Sequence, residues 1–334
     1  MSKIVDPTRV PKAKLFDGSE IPYIGAGTFG SDRYSSQQVS EAVAGAIRVG
    51  YRMFDCAACY GNESQIGEVF KAAYDEGIVK REDLYIMTKV WNNMHRRVAE
   101  SCKKSIADLQ ADYIDVLFIH WPFPNYHEPG CDADARNPES KPFSVEEFVD
   151  TYRQIEALVE EGLVKQIGIS NMTVPKLEAV LPLLKIHPAV CETEIHPCFQ
   201  QQELFEYLVS KDIQPIGYMP MGSPKRPERD ICPEDVADLQ MPEMIAIAEA
   251  HGVHPAEIAL KWAVQRGQIP IPFSVNEDKY VSNLHAVLET DLTEEEMATI
   301  ATLERGNRLV KGQVFLWEGA KDWHDLWDED GYIV

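Results

Sequence analysis

The order of predicted elements indicates an α/β fold of the (β/α)₈ TIM barrel class. Along the 334 residues, eight short apolar segments are predicted as strands, and segments with helical periodicity separate most of them. Gly, Pro, Asp or Asn residues mark most of the breaks. Long connections at residues 121–143 and 220–239 follow predicted strand ends, where such a barrel carries its functional loops. Since many single barrels have this length, we expect one domain over residues 1–334.

A short hairpin precedes the predicted barrel strands. Apolar runs at residues 14–16 and 20–22 flank Asp17 and Gly18, and Asp-Gly is a frequent two-residue hairpin turn. The barrel strands are then predicted at residues 23–28, 51–55, 84–89, 114–120, 164–169, 190–195, 213–219 and 269–273. Because helical segments alternate with these strands, we expect the strands to be parallel.

Helices are predicted from apolar residues that recur on one face and from capping signals. In the first helix, Val39, Val43 and Ala46 fall on the same face. Ser144 begins a capping box, and Gly162 ends the helix that follows it. The predicted helices lie near residues 39–46, 63–76, 97–109, 144–161, 175–184, 202–211, 242–251, 255–266, 279–288 and 293–303.

The charge of the chain argues against two classes of partner. Asp and Glu number 54 against 32 Lys and Arg, and the formal net charge is −22. A surface this negative repels the phosphates of nucleic acids and the headgroups of anionic lipids. Residues 1–6 lack the apolar run of a signal peptide, and no stretch has the roughly 20 apolar residues of a membrane span. We therefore expect a cytoplasmic protein.

The cysteines are predicted to be reduced thiols. They are scattered along a chain without a secretion signal, at Cys56, Cys59, Cys102, Cys131, Cys191, Cys198 and Cys232. Cys56 and Cys59 form a C-x-x-C pair, which is compatible with a redox pair or half of a zinc site. No second C-x-x-C or close His pair completes a metal site, so we favour two small residues beside a strand end and predict no metal.

Four polar residues lie at or just after the ends of consecutive predicted strands. They are Asp55, Tyr60, Lys89 and His120. In a barrel each emerges on the catalytic face, and neighbouring strands are only about 5 Å apart, so the side chains can converge. Each alone has an ordinary explanation, such as a capping Asp or a packing Tyr. Their joint occurrence predicts an active site.

These residue types suit proton transfer during carbonyl reduction. Tyr has an unperturbed pKa of about 10, and a nearby Lys ammonium stabilises the phenolate and lowers that pKa. Asp55 would hold Lys89 charged, and Tyr60 would then act as the general acid. His120 can donate a hydrogen bond to the substrate oxygen. A bound nicotinamide would supply the hydride.

Several short motifs occur in a characteristic order and spacing. They are GYRMFD at residues 50–55 with YGNE at 60–63, TKVW at 88–91, IHWP at 119–122, GISN at 168–171, EIHP at 194–197, and IP at 271–272 followed by Ser274. In these motifs the chain resembles the aldo-keto reductases along nearly its whole length. The resemblance implies that the hairpin closes the barrel bottom and that Asp55, Tyr60, Lys89 and His120 are the catalytic tetrad.

The resemblance also implies binding residues for an NAD(P)H cofactor and for a substrate. The positions that match cofactor contacts are Ser170, Asn171, Glu192, Tyr218, Ser223, Phe273, Ser274, Lys279 and Asn283. Among them, Ser170 and Asn171 match residues that bind the nicotinamide carboxamide, and Tyr218 matches the ring that stacks on the nicotinamide. Ser223 lies in the segment that matches the pyrophosphate strap. The positions that match the substrate pocket are Phe29, Trp91, Trp121 and Trp317.

Three departures from the family pattern bear on the cofactor. Glu192 stands where the family has a nicotinamide-binding Gln, and a carboxylate there would favour oxidised cofactor and make the reduced one a stronger hydride donor. Alternatively, Glu192 turns aside into a salt bridge. Phe273 and Lys279 replace the Lys and Arg that grip the 2′-phosphate of NADPH, with Glu277 and Asp278 nearby. We therefore expect NADH to be used at least as well as NADPH, although Phe273 stacked under adenine would suit either.

The expected partner is a small carbonyl or alcohol substrate, and the expected assembly is a monomer or homodimer. Aromatic walls with polar loop residues favour a sugar or hydroxy-aldehyde, and a small aromatic aldehyde is the second choice. The alternative from another class is a non-catalytic nicotinamide-binding regulatory subunit on the same fold. A metal-dependent barrel hydrolase would need a His-rich cluster at strand ends, which the sequence lacks.

Overall fold

Ten strands are present in the computed structural model, which describes residues 4–125, 137–222, 231–288 and 291–333. They are β1 Lys12–Lys14, β2 Glu20–Pro22, β3 Ala26–Gly27, β4 Met53–Asp55, β5 Tyr85–Val90, β6 Ile114–Ile119, β7 Val164–Ser170, β8 Val190–Glu194, β9 Gln214–Tyr218 and β10 Ile269–Pro270. Strands β3 to β10 form one parallel sheet in chain order. The Gly25 and Gly27 amides donate to the carbonyls of Pro270 (3.2 Å) and Pro272 (3.0 Å). These bonds close the sheet, and the predicted (β/α)₈ barrel is confirmed.

The extents of the last strand, the first barrel strand and the hairpin differ most from their predictions. The last strand is limited to Ile269–Pro270, because Pro270 and Pro272 have no N–H to donate to a ladder. The first barrel strand is limited to Ala26–Gly27. The hairpin pairs residue 14 with residue 20, so its loop has five residues instead of two. In that loop the Asp17 carboxylate accepts the Ser19 amide at 3.0 Å, which fixes the turn.

The helices follow the predicted order on the outside of the sheet. They are α1 Ser36–Val49, α2 Glu63–Asp75, α3 Val98–Asp108, α4 Val145–Glu160, α5 Val174–Val180, α6 Gln202–Ser210, α7 Pro242–His251, α8 Pro255–Gln265, α9 Glu277–Ala286 and α10 Glu294–Ala301. Helix α5 ends earlier than predicted, because Pro182 follows it in a 3₁₀ turn and cannot donate an amide to a continued α-helix. Among the described residues, no helix combines the length and the apolarity that a membrane span needs.

The hairpin fills the end of the barrel where the strands begin. Ala13, Leu15 and Ile21 are buried in one apolar cluster with side chains from the barrel strands, including Met87 of β5. Gln166, near the start of β7, donates to the Asp17 carboxylate at 2.5 Å. The predicted hairpin is therefore present, and it leaves the opposite end of the barrel as the end open to a ligand.

The C-terminal tail packs across that opposite end. The ring of Phe315 lies 4.5 Å from the ring of Trp121, between their centroids, and Trp121 lies 5.6 Å from Trp327. An ion pair between the buried Lys176 Nζ and Asp328 Oδ2 atoms, 2.5 Å apart, anchors the tail to α5. These contacts place the tail beside the loop that follows β6.

Candidate active site

The four predicted catalytic side chains meet at the carboxyl ends of β4, β5 and β6. Asp55 ends β4 and His120 follows β6, while Tyr60 ends a 3₁₀ turn. Lys89 Nζ donates to Asp55 Oδ1 and, at 3.1 Å, to the Cys56 carbonyl. The Tyr60 ring centroid lies 5.4 Å from Lys89 Nζ and 5.8 Å from the His120 ring. Parallel pairing of neighbouring strands therefore gathers the tetrad at one edge.

The electrostatics of Lys89 and Tyr60 are governed first by burial. Burial opposes the charged form of Lys89, but Asp55 and Glu192 outweigh it and raise the pKa of Lys89 well above its usual value. Burial also raises the pKa of Tyr60 well above 10, and Lys89 opposes this only in part. The lowering by Lys89 that the sequence predicts is thus present, but burial outweighs it. The phenol is protonated at neutral pH, as a proton donor must be.

His120 is held as a neutral imidazole. Burial, and then the Lys89 charge, lower the pKa of His120 well below 6.5. Its Nδ1 atom lies 3.5 Å from the Cys59 sulfur, and burial raises the pKa of the Cys59 thiol, so this thiol keeps its proton. A thiol that donates to Nδ1 leaves the proton of the imidazole on Nε2, where it can be given to a ligand oxygen.

Cys59 was missed as a site residue by the sequence analysis. The Cys56–Cys59 pair was interpreted as two small residues beside a strand end, and both are free thiols. Of the two, Cys59 contacts the His120 ring. The available signal was the position of Cys59 directly before Tyr60.

Glu192 is buried beside Lys89. Its Oε2 atom lies 3.5 Å from Lys89 Nζ and has no hydrogen-bond partner among the described residues. The Glu192 carboxyl thus lies within the tetrad, at the distance from Lys89 that the salt-bridge alternative requires.

A polar group beside Glu192 links β7 to β9. Ser170 pairs with Glu192 in the sheet. The Asn171 side-chain amide donates to the His120 carbonyl at 2.9 Å and to Ser170 Oγ at 3.2 Å. The Tyr218 hydroxyl donates to Asn171 Oδ1 at 2.8 Å. Three of the predicted cofactor residues are therefore joined to each other and to the tetrad.

The other predicted cofactor residues lie farther around the barrel rim. Phe273 follows β10, and its ring lies 5.8 Å from the ring of Tyr34. Ser274 Oγ accepts the Asn276 amide at 3.1 Å, Lys279 lies in the first turn of α9, and Asn283 is buried in that helix. Ser223 lies outside the described residues. Near Phe273, the first turn of α9 carries two carboxylates, Glu277 and Asp278.

The predicted substrate residues fall into two groups. The Phe29 ring lies 5.1 Å from the Tyr60 ring, and the Trp91 ring lies 5.0 Å from the His120 ring. Trp121 and Trp317 are buried, with 6% and 7% of their surface exposed, in the apolar cluster of the tail. Phe29 and Trp91 thus flank the reactive groups, while Trp121 and Trp317 pack behind them. Among the described residues, no three His, Cys, Asp or Glu side chains are arranged to hold a metal ion.

Comparisons with known proteins all identify the same family. Residues 23–305 match the aldo/keto reductase family. An aldo/keto reductase of Synechocystis sp. is 38% identical, over 94% of this chain and 95% of its own. Aldo-keto reductase family 1 member A1 of Xenopus tropicalis is 37% identical, over 91% of each chain. A crystal structure of an aldo-keto reductase complexed with NADPH has a TM-score of 0.79 at 29% identity, over 90% of each chain.

Proposed function

Since the chain belongs to the aldo/keto reductase family and is an NAD(P)-dependent oxidoreductase, we propose that it reduces aldehydes and ketones with Tyr60 as the proton donor. The observation that carries the proposal is the meeting of Tyr60, Lys89 and Asp55 at one barrel edge, with neutral His120 beside them. A phenol, a buried ammonium and a neutral imidazole are the groups that protonation of a developing alkoxide requires.

The residues present fit a nicotinamide cofactor. Glu192 Oε2 is a buried acceptor without a hydrogen-bond partner among the described residues, which suits the NH₂ group of a carboxamide. Ser170 and Asn171 provide further polar groups beside it, and the Tyr218 ring provides a stacking surface. When bound, the nicotinamide supplies the hydride. The protein then has only to orient the carbonyl and deliver a proton.

Each member of the tetrad has a separate role in this reaction. His120 donates from Nε2 to the carbonyl oxygen and orients it toward Tyr60. Tyr60 transfers its hydroxyl proton as negative charge grows on that oxygen. Lys89 stabilises the phenolate that remains, and Asp55 keeps Lys89 charged and in place. For alcohol oxidation the same groups work in reverse, with Tyr60 as the general base.

We propose sugars or other hydroxy-carbonyl compounds as substrates, and small aromatic aldehydes as the second class. Phe29 and Trp91 beside the reactive groups provide apolar walls that suit either class. Trp121, from the loop that follows β6, and Trp317, from the C-terminal tail, would support these walls from behind. In this proposal the protein acts in the cytoplasm on a small molecule, as a monomer or a homodimer.

The test is an initial-rate assay of NADH and NADPH oxidation with a panel of aldoses, ketoses and simple aldehydes. We expect turnover with at least one class, and the class with the highest kcat/KM identifies the substrate. Tight cofactor binding without turnover of any panel member would contradict catalysis and favour the non-catalytic nicotinamide-binding subunit.

The cofactor preference is tested at Phe273. The 2′-phosphate of NADPH needs a cation, but this position has a phenyl ring, and the first turn of the following helix carries two carboxylates. Phe273→Lys should lower the Kd for NADPH by about 10-fold to 100-fold, the effect of one charge-assisted hydrogen bond, and leave the Kd for NADH nearly unchanged. Fluorescence titration with both cofactors measures the two constants.

Phe273→Leu is the matched control, because it removes the ring without adding charge. It should change the Kd for NADPH and the Kd for NADH by the same factor if the ring only stacks under adenine. A strong preference of the unmodified protein for NADPH would contradict the proposal that NADH is used at least as well.

A further inference from the structure

Two carboxyl groups share one lysine in the interior of the barrel end. Lys89 Nζ contacts Asp55 Oδ1 and lies 3.5 Å from Glu192 Oε2. The side chains of Lys89, Asp55 and Glu192 are 0%, 5% and 3% exposed. Both carboxyls are therefore buried against a single ammonium group. One ammonium can balance the negative charge of only one of the two carboxylates.

The charge balance of this group favours a proton on one of the two carboxyls. With both carboxyls ionised, the group of Lys89, Asp55 and Glu192 has a net charge of about −1 in a site with little water, which is costly. The titratable neighbours are Cys56 beyond β4, Cys59 and Tyr60 from the 3₁₀ turn, His120 after β6, Cys191 from β8 and Tyr218 from β9. Burial raises the pKa of the thiols and phenols and lowers the pKa of His120, so all of them are neutral at neutral pH and none compensates the charge.

We propose that Glu192 holds a proton in the cofactor-free and reduced-cofactor states and releases it when the oxidised, cationic nicotinamide binds. The step is an acid dissociation: the carboxyl O–H bond breaks, the electron pair stays on Glu192, and the proton goes to the solvent buffer. The positive ring then takes over the compensating role of that proton. The inference rests on the proposed function, in which the nicotinamide lies against Glu192.

The electrostatics of Glu192 support the direction of this linkage. Burial, and then the Asp55 charge, raise the pKa of Glu192 to about 8, against the opposing effect of Lys89. Below that pH, binding of the oxidised cofactor must expel a proton, whereas binding of the reduced cofactor need not. The affinity for oxidised cofactor should therefore rise with pH, approaching about tenfold per pH unit below the pKa of Glu192, and level off above it. A Gln at this position has no such proton.

The experiment measures Kd for NAD⁺ and NADH by fluorescence between about pH 6 and pH 9, bracketing that pKa. The variants are Glu192→Gln and two controls. Glu63→Gln removes another buried carboxyl. This carboxyl accepts hydrogen bonds from Thr88 and Ser105 and does not contact Lys89. Tyr60→Phe removes the phenol hydroxyl beside Lys89. Calorimetry of the unmodified protein in two buffers of different ionisation enthalpy counts the protons released.

The expected result is a Kd ratio of NAD⁺ to NADH that falls with rising pH in the unmodified protein and in both controls, and that is flat in Glu192→Gln. Proton release should accompany NAD⁺ binding but not NADH binding. This release is measurable without any variant, should Glu192→Gln not fold. Binding of both cofactors with a pH-independent ratio and no proton release would overturn the inference alone. No binding of either cofactor would overturn the proposed function and this inference together.

Discussion

Replacing Tyr60 with Phe should lower kcat for carbonyl reduction by about 10²-fold to 10⁴-fold, the usual contribution of a positioned general acid. The substitution removes only the hydroxyl group. The ring can keep its contacts with Phe29 at 5.1 Å and His120 at 5.8 Å, so the shape of the site is retained. We therefore expect the Kd for the reduced cofactor to change little. Stopped-flow reduction rates and fluorescence titration measure the two quantities separately.

Tyr85→Phe is the matched control for this prediction. The Tyr85 hydroxyl is also buried and has no hydrogen-bond partner among the described residues, but it lies at the start of β5, away from the tetrad. Its loss should leave kcat unchanged. If Tyr60→Phe retained kcat within about tenfold of the unmodified protein, another group would have to be the proton donor.

The convergence of the tetrad could be predicted because it depends on local order. Asp55, Lys89 and His120 belong to consecutive strands, and consecutive parallel strands in a barrel are neighbours. Strand periodicity and turn residues were enough to find the ends of those strands. The extent of the strands was predicted less well, since prolines and the barrel closure decide which backbone groups pair.

The position of Glu192 against Lys89 could not be predicted in the same way. Their strands, β5 and β8, are three apart in the sheet, so the side chains meet only because the sheet curls into a barrel. The burial of Trp121 and Trp317 has a similar origin. It depends on how the C-terminal tail packs against a loop nearly 200 residues earlier in the chain, as in the 3.0 Å hydrogen bond from Asn125 to the Phe315 carbonyl, 190 residues apart.

Replacing Lys89 with Met should reduce both catalysis and stability. The kcat should fall by about 10²-fold to 10⁴-fold, as for loss of the general acid itself, because the Tyr60 phenolate loses its stabilising cation. Stability falls because two buried carboxyl groups lose their shared cation, and breaking a buried pair in this way costs about 3–5 kcal/mol in the free energy of unfolding. Steady-state rates and urea unfolding measure the two effects.

The stability loss should depend on pH in a defined direction. Without Lys89, burial and the repulsion between the two carboxylates act unopposed on Asp55 and Glu192, and their pKa values in the folded state rise further above those of the unfolded chain. Groups with a raised folded-state pKa stabilise the fold only while they are protonated, so the variant should lose stability as the pH rises through those pKa values. The difference from the unmodified protein should therefore be larger near pH 9 than near pH 5, on either side of the Glu192 pKa of about 8.

Lys71→Met separates this effect from the general loss of a lysine. Lys71 forms a 2.5 Å ion pair with Asp75, and both side chains are more than half exposed, at 56% and 66%. Exposed pairs of this kind contribute about 0–1 kcal/mol, so the control should unfold almost like the unmodified protein at both pH values. Equal losses in the two variants, or a loss in Lys89→Met that does not change with pH, would mean that Lys89 does not balance the charges of Asp55 and Glu192. In that case the proton held on Glu192 would also lack its electrostatic cause, because that proton follows from two carboxyls competing for one ammonium.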